Sequence, residues 1–282
     1  MKISLLSDER FVRGFHLKGL NSIRDGHAPI KAFSVTGETP IWLLCQWNSK
    51  YNLINGNFTK NEDEYKIFDV SKCLTVTGGE KLTFALDAGK EYTAPRAPDE
   101  PWPHLLIEQE ITQNNRVCDF ENLVCHAFVQ LEDLENLMSE EETKGHHTTQ
   151  FVWVVTLKDN NPSSPSYNRF MWVVMPILDS RYEFCPGAMT QDMALPDGEF
   201  LYCFPSEKLL NKSIWTREKV EFHLDLAPYV PHILSSAQKL GFMLGTQLED
   251  LVLSSMNMGF EITGTFRSVV SVEQLSITAK RR

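Results

Sequence analysis

The sequence predicts an all-β protein, a jelly-roll-like antiparallel β-sandwich with one or two peripheral helices. Three observations carry this. From Pro40 onward, apolar and polar residues alternate in short runs broken by Gly, Pro, Asn and Asp, as half-buried antiparallel strands require. About eleven such runs occur, enough for two stacked sheets. Strand and helix patterns do not alternate, which excludes a parallel α/β sheet, and no repeat at solenoid or propeller spacing is present.

The elements follow in order. Residues 1–34 read as an N-terminal arm ahead of a sandwich domain at 35–282; within the arm, Phe11–Ile23 is mixed and fits either a helix or an irregular segment. Ile41–Trp47 and Tyr65–Val70 are the first strand candidates. Leu82, Phe84 and Leu86 then face one way and Lys81, Thr83, Ala85 and Asp87 the other, after a Gly78-Gly79 turn. Thr93–Pro103 holds four prolines and reads as an extended loop crossing between sheets. The strands His104–Ile111 and Leu123–Leu131 come next. The acidic stretch Glu132–Glu142 fits a short helix or a solvated loop equally well. Phe151–Leu157 and Phe170–Leu178 are strands rich in Val and aromatics. Val220, Phe222, Leu224 and Leu226 alternate against Glu221, His223 and Asp225. Between Pro228 and Leu240 the apolar set Val230, Ile233, Leu234, Ala237 and Leu240 keeps helical spacing, with Gly241 as the stop. Leu251–Ser255, Met258–Ile262 and Phe266–Ile277 close the chain.

The composition suits an ordinary folded protein. Of 282 residues, 42% are hydrophobic and 23% charged. The excess of 37 acidic over 27 basic side chains, a formal charge of −10, excludes a general nucleic-acid binder, which needs a basic face to neutralise phosphates. The longest apolar runs fall well short of the roughly 20 residues of a membrane helix. The apolar stretch at the start is shorter than the roughly 7–15 residues of a secretory core, so a cytoplasmic protein with no membrane partner is expected. Six cysteines without a CxxC read as free, mostly buried thiols.

The sequence has no GxGxxG, phosphate-loop, GxSxG or HExxH motif, so nucleotide, hydrolase-elbow and zincin chemistries lose their anchor. His146-His147, near Glu140–Glu142, reads as a polar loop. No metal ligand is assigned, and the cofactor is unknown.

Three clusters are candidates for a ligand site. Trp102 precedes a strand whose one face carries His104, Leu106, Glu108 and Glu110; carboxylates on a central strand require a wet cleft or a cation. Asp179 and Arg181, two apart in an extended chain, share a face beside Tyr182 and follow Trp172; the same residues also read as a surface ion pair and a core tyrosine. In Ser255–Glu261, Asn257, Gly259 and Glu261 alternate with Met256, Met258 and Phe260, so one face offers an amide, bare backbone and a carboxylate. Indoles beside carboxylates, amides and guanidinium groups suit sugars, whose C–H faces stack on the rings while the polar groups take hydroxyls.

Leu82–Asp87, Trp102–Gln109, the Phe151–Arg181 pair and the closing strands Met256–Ile277 together resemble the jelly-roll, galactose-binding-like carbohydrate-binding modules and related bacterial proteins. The likeness spans roughly residues 35–278 and lies in pattern, with no catalytic motif. It implies a carbohydrate ligand held in a concave sheet. The first functional expectation is therefore a non-catalytic glycan-recognition protein using Trp102, His104, Trp172, Asp179, Arg181, Tyr182 and Asn257. The alternative is a carbohydrate-active enzyme, of glycoside hydrolase or polysaccharide lyase type, with Glu108 and Glu261 as its carboxylates. A structural or assembly protein is the second alternative. The oligomeric state is left open.

Overall fold

The computed structural model describes residues 2–19, 29–97, 99–112, 115–144, 147–192 and 198–282. In chain order the strands are β1 (Lys2–Ser4), β2 (Gly14–Lys18), β3 (Lys31–Ser34), β4 (Trp42–Cys45), β5 (Asn57–Lys60), β6 (Glu64–Phe68), β7 (Lys72–Thr77), β8 (Lys81–Asp87) and β9 (His104–Glu110). They continue with β10 (Phe120–Asn136), β11 (Thr149–Asp159), β12 (Phe170–Asp179), β13 (Ala188–Asp192), β14 (Glu199–Cys203), β15 (Val220–Asp225), β16 (Leu251–Ile262) and β17 (Phe266–Arg281). The helices are α1 (Ala88–Glu91), α2 (Glu140–Thr143) and α3 (Val230–Lys239).

Among the described residues these strands form two sheets. One has eight strands, ordered β15-β10-β17-β8-β7-β6-β5, with β1 added on β17; the other has nine, ordered β13-β14-β12-β11-β16-β9-β4-β2-β3. The expected all-β sandwich is therefore the fold. Pairing is antiparallel except for β2 with β4 and β12 with β14. The proline-rich segment after α1 carries the chain from the eight-stranded sheet to β9 in the nine-stranded one, as expected.

The alternation read from the sequence becomes the inner face of each layer. Leu105, Ile107, Phe151, Trp153, Val155, Met256, Met258 and Phe260 are fully buried on the nine-stranded side. Phe84 meets Phe151 edge-on at 5.2 Å, and Trp153 meets Phe222 at 5.0 Å, so aromatic pairs bridge the two layers. Each such side chain contributes about 1.5–3 kcal/mol through burial alone. Helix α3 buries Val230, Ile233, Leu234 and Ala237, and Gly241 follows it at φ +89, the predicted left-handed stop.

Residues 1–34, expected as an arm, contribute β1 to one sheet and β2 and β3 to the other, with Phe11, Phe15 and Leu17 in the core. Strand β2 is buried on both sides, so it lacks the alternation that marks a half-buried strand. The acidic stretch is neither mostly helix nor loop. Strand β10 runs on to Asn136, paired with β17, and cations meet its carboxylates: Lys81, two strands away on β8, reaches Glu132 at 2.9 Å, and Arg267 on β17 reaches Glu135 at 2.8 Å. Only α2 is helical there, closed by a capping box between Ser139 and Glu142.

A buried ion pair sits at the inward position of β7. Lys72 and Glu91 have fully buried side chains with Nζ and Oε1 2.5 Å apart, Ser71 Oγ donates to the same carboxylate, and Glu91 Oε2 accepts from the amides of Lys50 and Tyr51. Lys72 Nζ also donates to Tyr51 O at 2.7 Å, and the Tyr92 hydroxyl donates to Asn48 O. Both Glu91 oxygens are therefore occupied, as a buried charge requires.

Candidate functional site

The face of the nine-stranded sheet turned away from the core carries the polar residues. Its register sets them in rows across the strands. His104 on β9 pairs with Glu261 on β16, Glu261 with Gln150 on β11, and Gln150 with Asp179 on β12. Four residues further along β9 and β16, Glu108 pairs with Asn257 and with Leu43 of β4. Leu106 and Gly259 lie opposite each other between these rows.

Gly259 is required there. Its φ is +153, and a Cβ would stand 2.1 Å from Leu105 O and 2.7 Å from Leu106 Cα. The two strands thus meet backbone to backbone, as the sequence reading anticipated for a glycine inside a strand. The bare backbone leaves β16 without a side chain between Asn257 and Glu261, with Leu106 of β9 and Val152 of β11 on either side of it.

At one end of this face, His104 is enclosed by indoles. Trp102, half-buried, stacks on it at 6.1 Å, and Trp47 meets it edge-on at 6.1 Å. His104 Nδ1 lies 3.3 Å from Trp47 O, and its Nε2 lies 3.7 Å from Glu261 Oε2. The Glu261 side chain is 33% exposed.

Glu108 is bound from the other side. Lys18 Nζ, on β2, donates to its Oε1 at 2.6 Å and also lies 5.6 Å from the Trp47 ring centroid. Burial first, and the negative charge of Glu108 second, push the Cys45 thiol well above its usual range. It stays an S–H group and donates to Glu108 Oε2 at 3.8 Å. Cys45, Trp47 and Leu106 form a small apolar cluster of their own on this outer face.

Asp179 is engaged within the protein. It is buried and accepts from Thr148 Oγ1 at 2.9 Å, Gln150 Nε2 at 2.7 Å and the Arg181 amide at 3.0 Å. It also accepts the Arg181 guanidinium in a fork, Nε at 2.9 Å and Nη2 at 2.6 Å. Burial alone would raise its carboxyl, but these donors outweigh that and hold it below the usual carboxylate range. A carboxylate has about four lone-pair sites, so none is left for a sugar hydroxyl. Asp179 anchors Arg181, as the ion-pair reading of these residues has it. Tyr182 is exposed, with the Arg181 guanidinium 5.3 Å from its ring.

Trp172 shares the outer face but stands at its far end. It pairs with Thr156, which pairs with Ser255 beside Glu110, and it packs on Phe170 at 5.2 Å. On this face Trp102, His104 and Glu261 gather at one end, Glu108 and Asn257 stand opposite each other four residues along, and Trp172 lies two strands from Asn257 and two residues further on. Lys18, Cys45 and Trp47 were missed. Trp47 was within reach of the sequence, since it continues the alternation of Leu43 and Cys45; Lys18 lay in the presumed arm.

All six cysteines are free thiols. Among the described residues no three His, Cys, Asp or Glu side chains are placed to hold a metal ion, and His146 lies outside them. No described helix is long and apolar enough to cross a membrane.

No family model matches the chain, and none of the curated proteins compared with it matches. Solved structures do. A cellulase derived from Cel12A of Rhodothermus marinus is 12% identical, with 80% of this chain and 96% of that one covered and a TM-score of 0.43. A family 12 xyloglucanase from Bacillus licheniformis is 10% identical, with 80% and 97% covered and a TM-score of 0.47. The endo-1,4-beta-glucanase CelB2 is 8% identical, with 80% and 96% covered and a TM-score of 0.47.

These values carry no residue's role to the present chain. The likeness to galactose-binding-like modules stops at the jelly-roll architecture. The expectation of a non-catalytic glycan binder is corrected, because the solved structures reported above are named as a cellulase, a xyloglucanase and an endoglucanase.

Proposed function

We propose that the chain is a carbohydrate-active enzyme that hydrolyses glycosidic bonds on the outer face of its nine-stranded sheet. The observation that carries this is the sharing of one face by Glu108, Asn257, His104 and Glu261, with the Trp102 indole stacked on His104 at its end. A sugar ring over Gly259 would lie between the two carboxylates, beside the Leu106 and Val152 side chains.

The register bears on the stereochemistry. Four residues of about 3.4 Å rise and one strand spacing of about 4.8 Å set the Cα atoms of Glu108 and Glu261 roughly 14 Å apart. Direct attack needs carboxyl groups about 5–5.5 Å apart, whereas an intervening water needs about 6.5–9.5 Å. Only the second is within reach of two glutamates leaning toward each other, so inversion is the expected outcome. Glu261 gives its proton to the glycosidic oxygen as the bond to the anomeric carbon breaks. Glu108 takes a proton from the water whose oxygen forms the new bond, and the leaving sugar departs as an alcohol.

The test is release of reducing sugar from β-glucan, xyloglucan, xylan and starch by the wild-type chain and by folded E108Q and E261Q. At least one polysaccharide is expected to be cleaved with inversion, and either substitution to lower kcat by about a hundredfold or more. Absence of cleavage on all four, or full activity in both variants, overturns the proposal.

A further inference from the structure

A second groove opens beside Arg181, where the end of β12 meets the ends of β10 and β17 from the other sheet. It encloses about 350 Å³ and is lined by Trp215, Arg181, His147 and Asn136 over Leu134 and Phe266. A small-molecule site of this size has an apolar floor and a few convergent polar groups, which is the composition here.

Its walls are set before any ligand arrives. Trp215 is 37% exposed, yet its Nε1 donates to Tyr182 O at 2.8 Å, and Ser213 Oγ accepts from its backbone amide at 3.3 Å. The fork from Arg181 to Asp179 occupies Nε and Nη2, and Asp179 is itself held by Thr148 and Gln150. Side chains fixed in this way lose little freedom on binding. The Arg181–Asp179 pair is neutral as a unit, so the groove has no strong preference for an anion.

We infer that this groove is a second saccharide site, taking a neutral sugar with its C–H face on the Trp215 indole and its hydroxyls on Arg181, His147 and Asn136. An exposed indole locked by a hydrogen bond and flanked by planar donors suits that ligand better than an aliphatic one. The site lies outside the Glu108–Glu261 face and stands whether or not those residues cleave anything.

The experiment is calorimetric titration of the full chain with cellohexaose, xylohexaose and maltohexaose, using wild type, W215A, H147A and E108Q/E261Q. At least one hexasaccharide is expected to bind to wild type and to E108Q/E261Q. W215A should weaken that binding at least about tenfold, and H147A by a smaller factor. Because His147 is peripheral, H147A decides the matter if W215A does not fold. No heat from any hexasaccharide at millimolar concentration, or titrations unchanged in W215A and H147A, overturns the inference. Wild type that releases no sugar from any polysaccharide yet keeps Trp215-dependent binding sinks only the hydrolase reading.

Discussion

Replacing Gly259 with alanine tests the packing beneath the candidate site. The added Cβ would lie 2.1 Å from Leu105 O and 2.7 Å from Leu106 Cα, and both neighbours are backbone atoms of a central strand. To reach an ordinary contact, β9 must retreat from β16 by about 1 Å, which breaks about two ladder hydrogen bonds at about 1 kcal/mol each. A φ of +153 adds about 1–3 kcal/mol for any residue with a side chain. The sum is about 3–5 kcal/mol, or a fall in Tm of roughly 6–20 °C at 2–4 °C per kcal/mol for a chain of this size. G37A is the control, because Gly37 also has a positive φ, +85, but no described residue lies within 4 Å of its Cβ position. Urea unfolding followed by tryptophan fluorescence measures both variants. A G259A loss no greater than that of G37A would mean that β9 and β16 do not meet as described, and the rows of the candidate site would dissolve with that pairing.

Three further outcomes are expected. Trp153 is fully buried, touches Phe222 across the layers, and its Nε1 has no hydrogen-bond partner among the described residues; W153A should cost about 3–5 kcal/mol and W153F clearly less in denaturant titrations. The folded-state carboxyl of Asp179 is depressed, so its contribution is present above the unfolded value near 3.9 and is lost as pH falls through the lower folded value. D179N should therefore destabilise the protein at pH 7 and narrow its difference from wild type toward pH 2–3; a constant difference across that range would refute the linkage. Burial first pushes the Cys125 and Cys185 thiols up to about 12 and Cys203 up to about 11. With Cys45 fully buried as well, thiol reagents at pH 8 should modify Cys118 first and reach Cys45 and Cys125 only on unfolding, as peptide mass mapping would show.

The sequence made the layers legible wherever one side of a strand faces the core. Leu82, Phe84 and Leu86, and Val220, Phe222 and Leu224, point inward as the alternation requires. It failed where burial is two-sided, as in Phe15 and Leu17 of β2, or absent, as in the wholly exposed β5. It also failed at Lys72, a charge in an inward position that only its distant partner Glu91 makes tolerable. In the candidate site, alternation alone put Glu108 with His104 and Glu261 with Asn257. Which of these stand opposite each other depends on register between strands far apart in sequence, and Lys18 reaches Glu108 only through the fold.

The Lys72–Glu91 pair reaches further than its own layer. By gripping the amides of Lys50 and Tyr51, it suspends the segment just after Trp47 from the opposite sheet, and Trp47 O in turn receives the His104 amide at 3.1 Å. One wall of the candidate site therefore hangs on an electrostatic tether rooted in the opposite sheet. Loosening that tether would slacken the indole against His104 without altering a single atom of the residues that face solvent there.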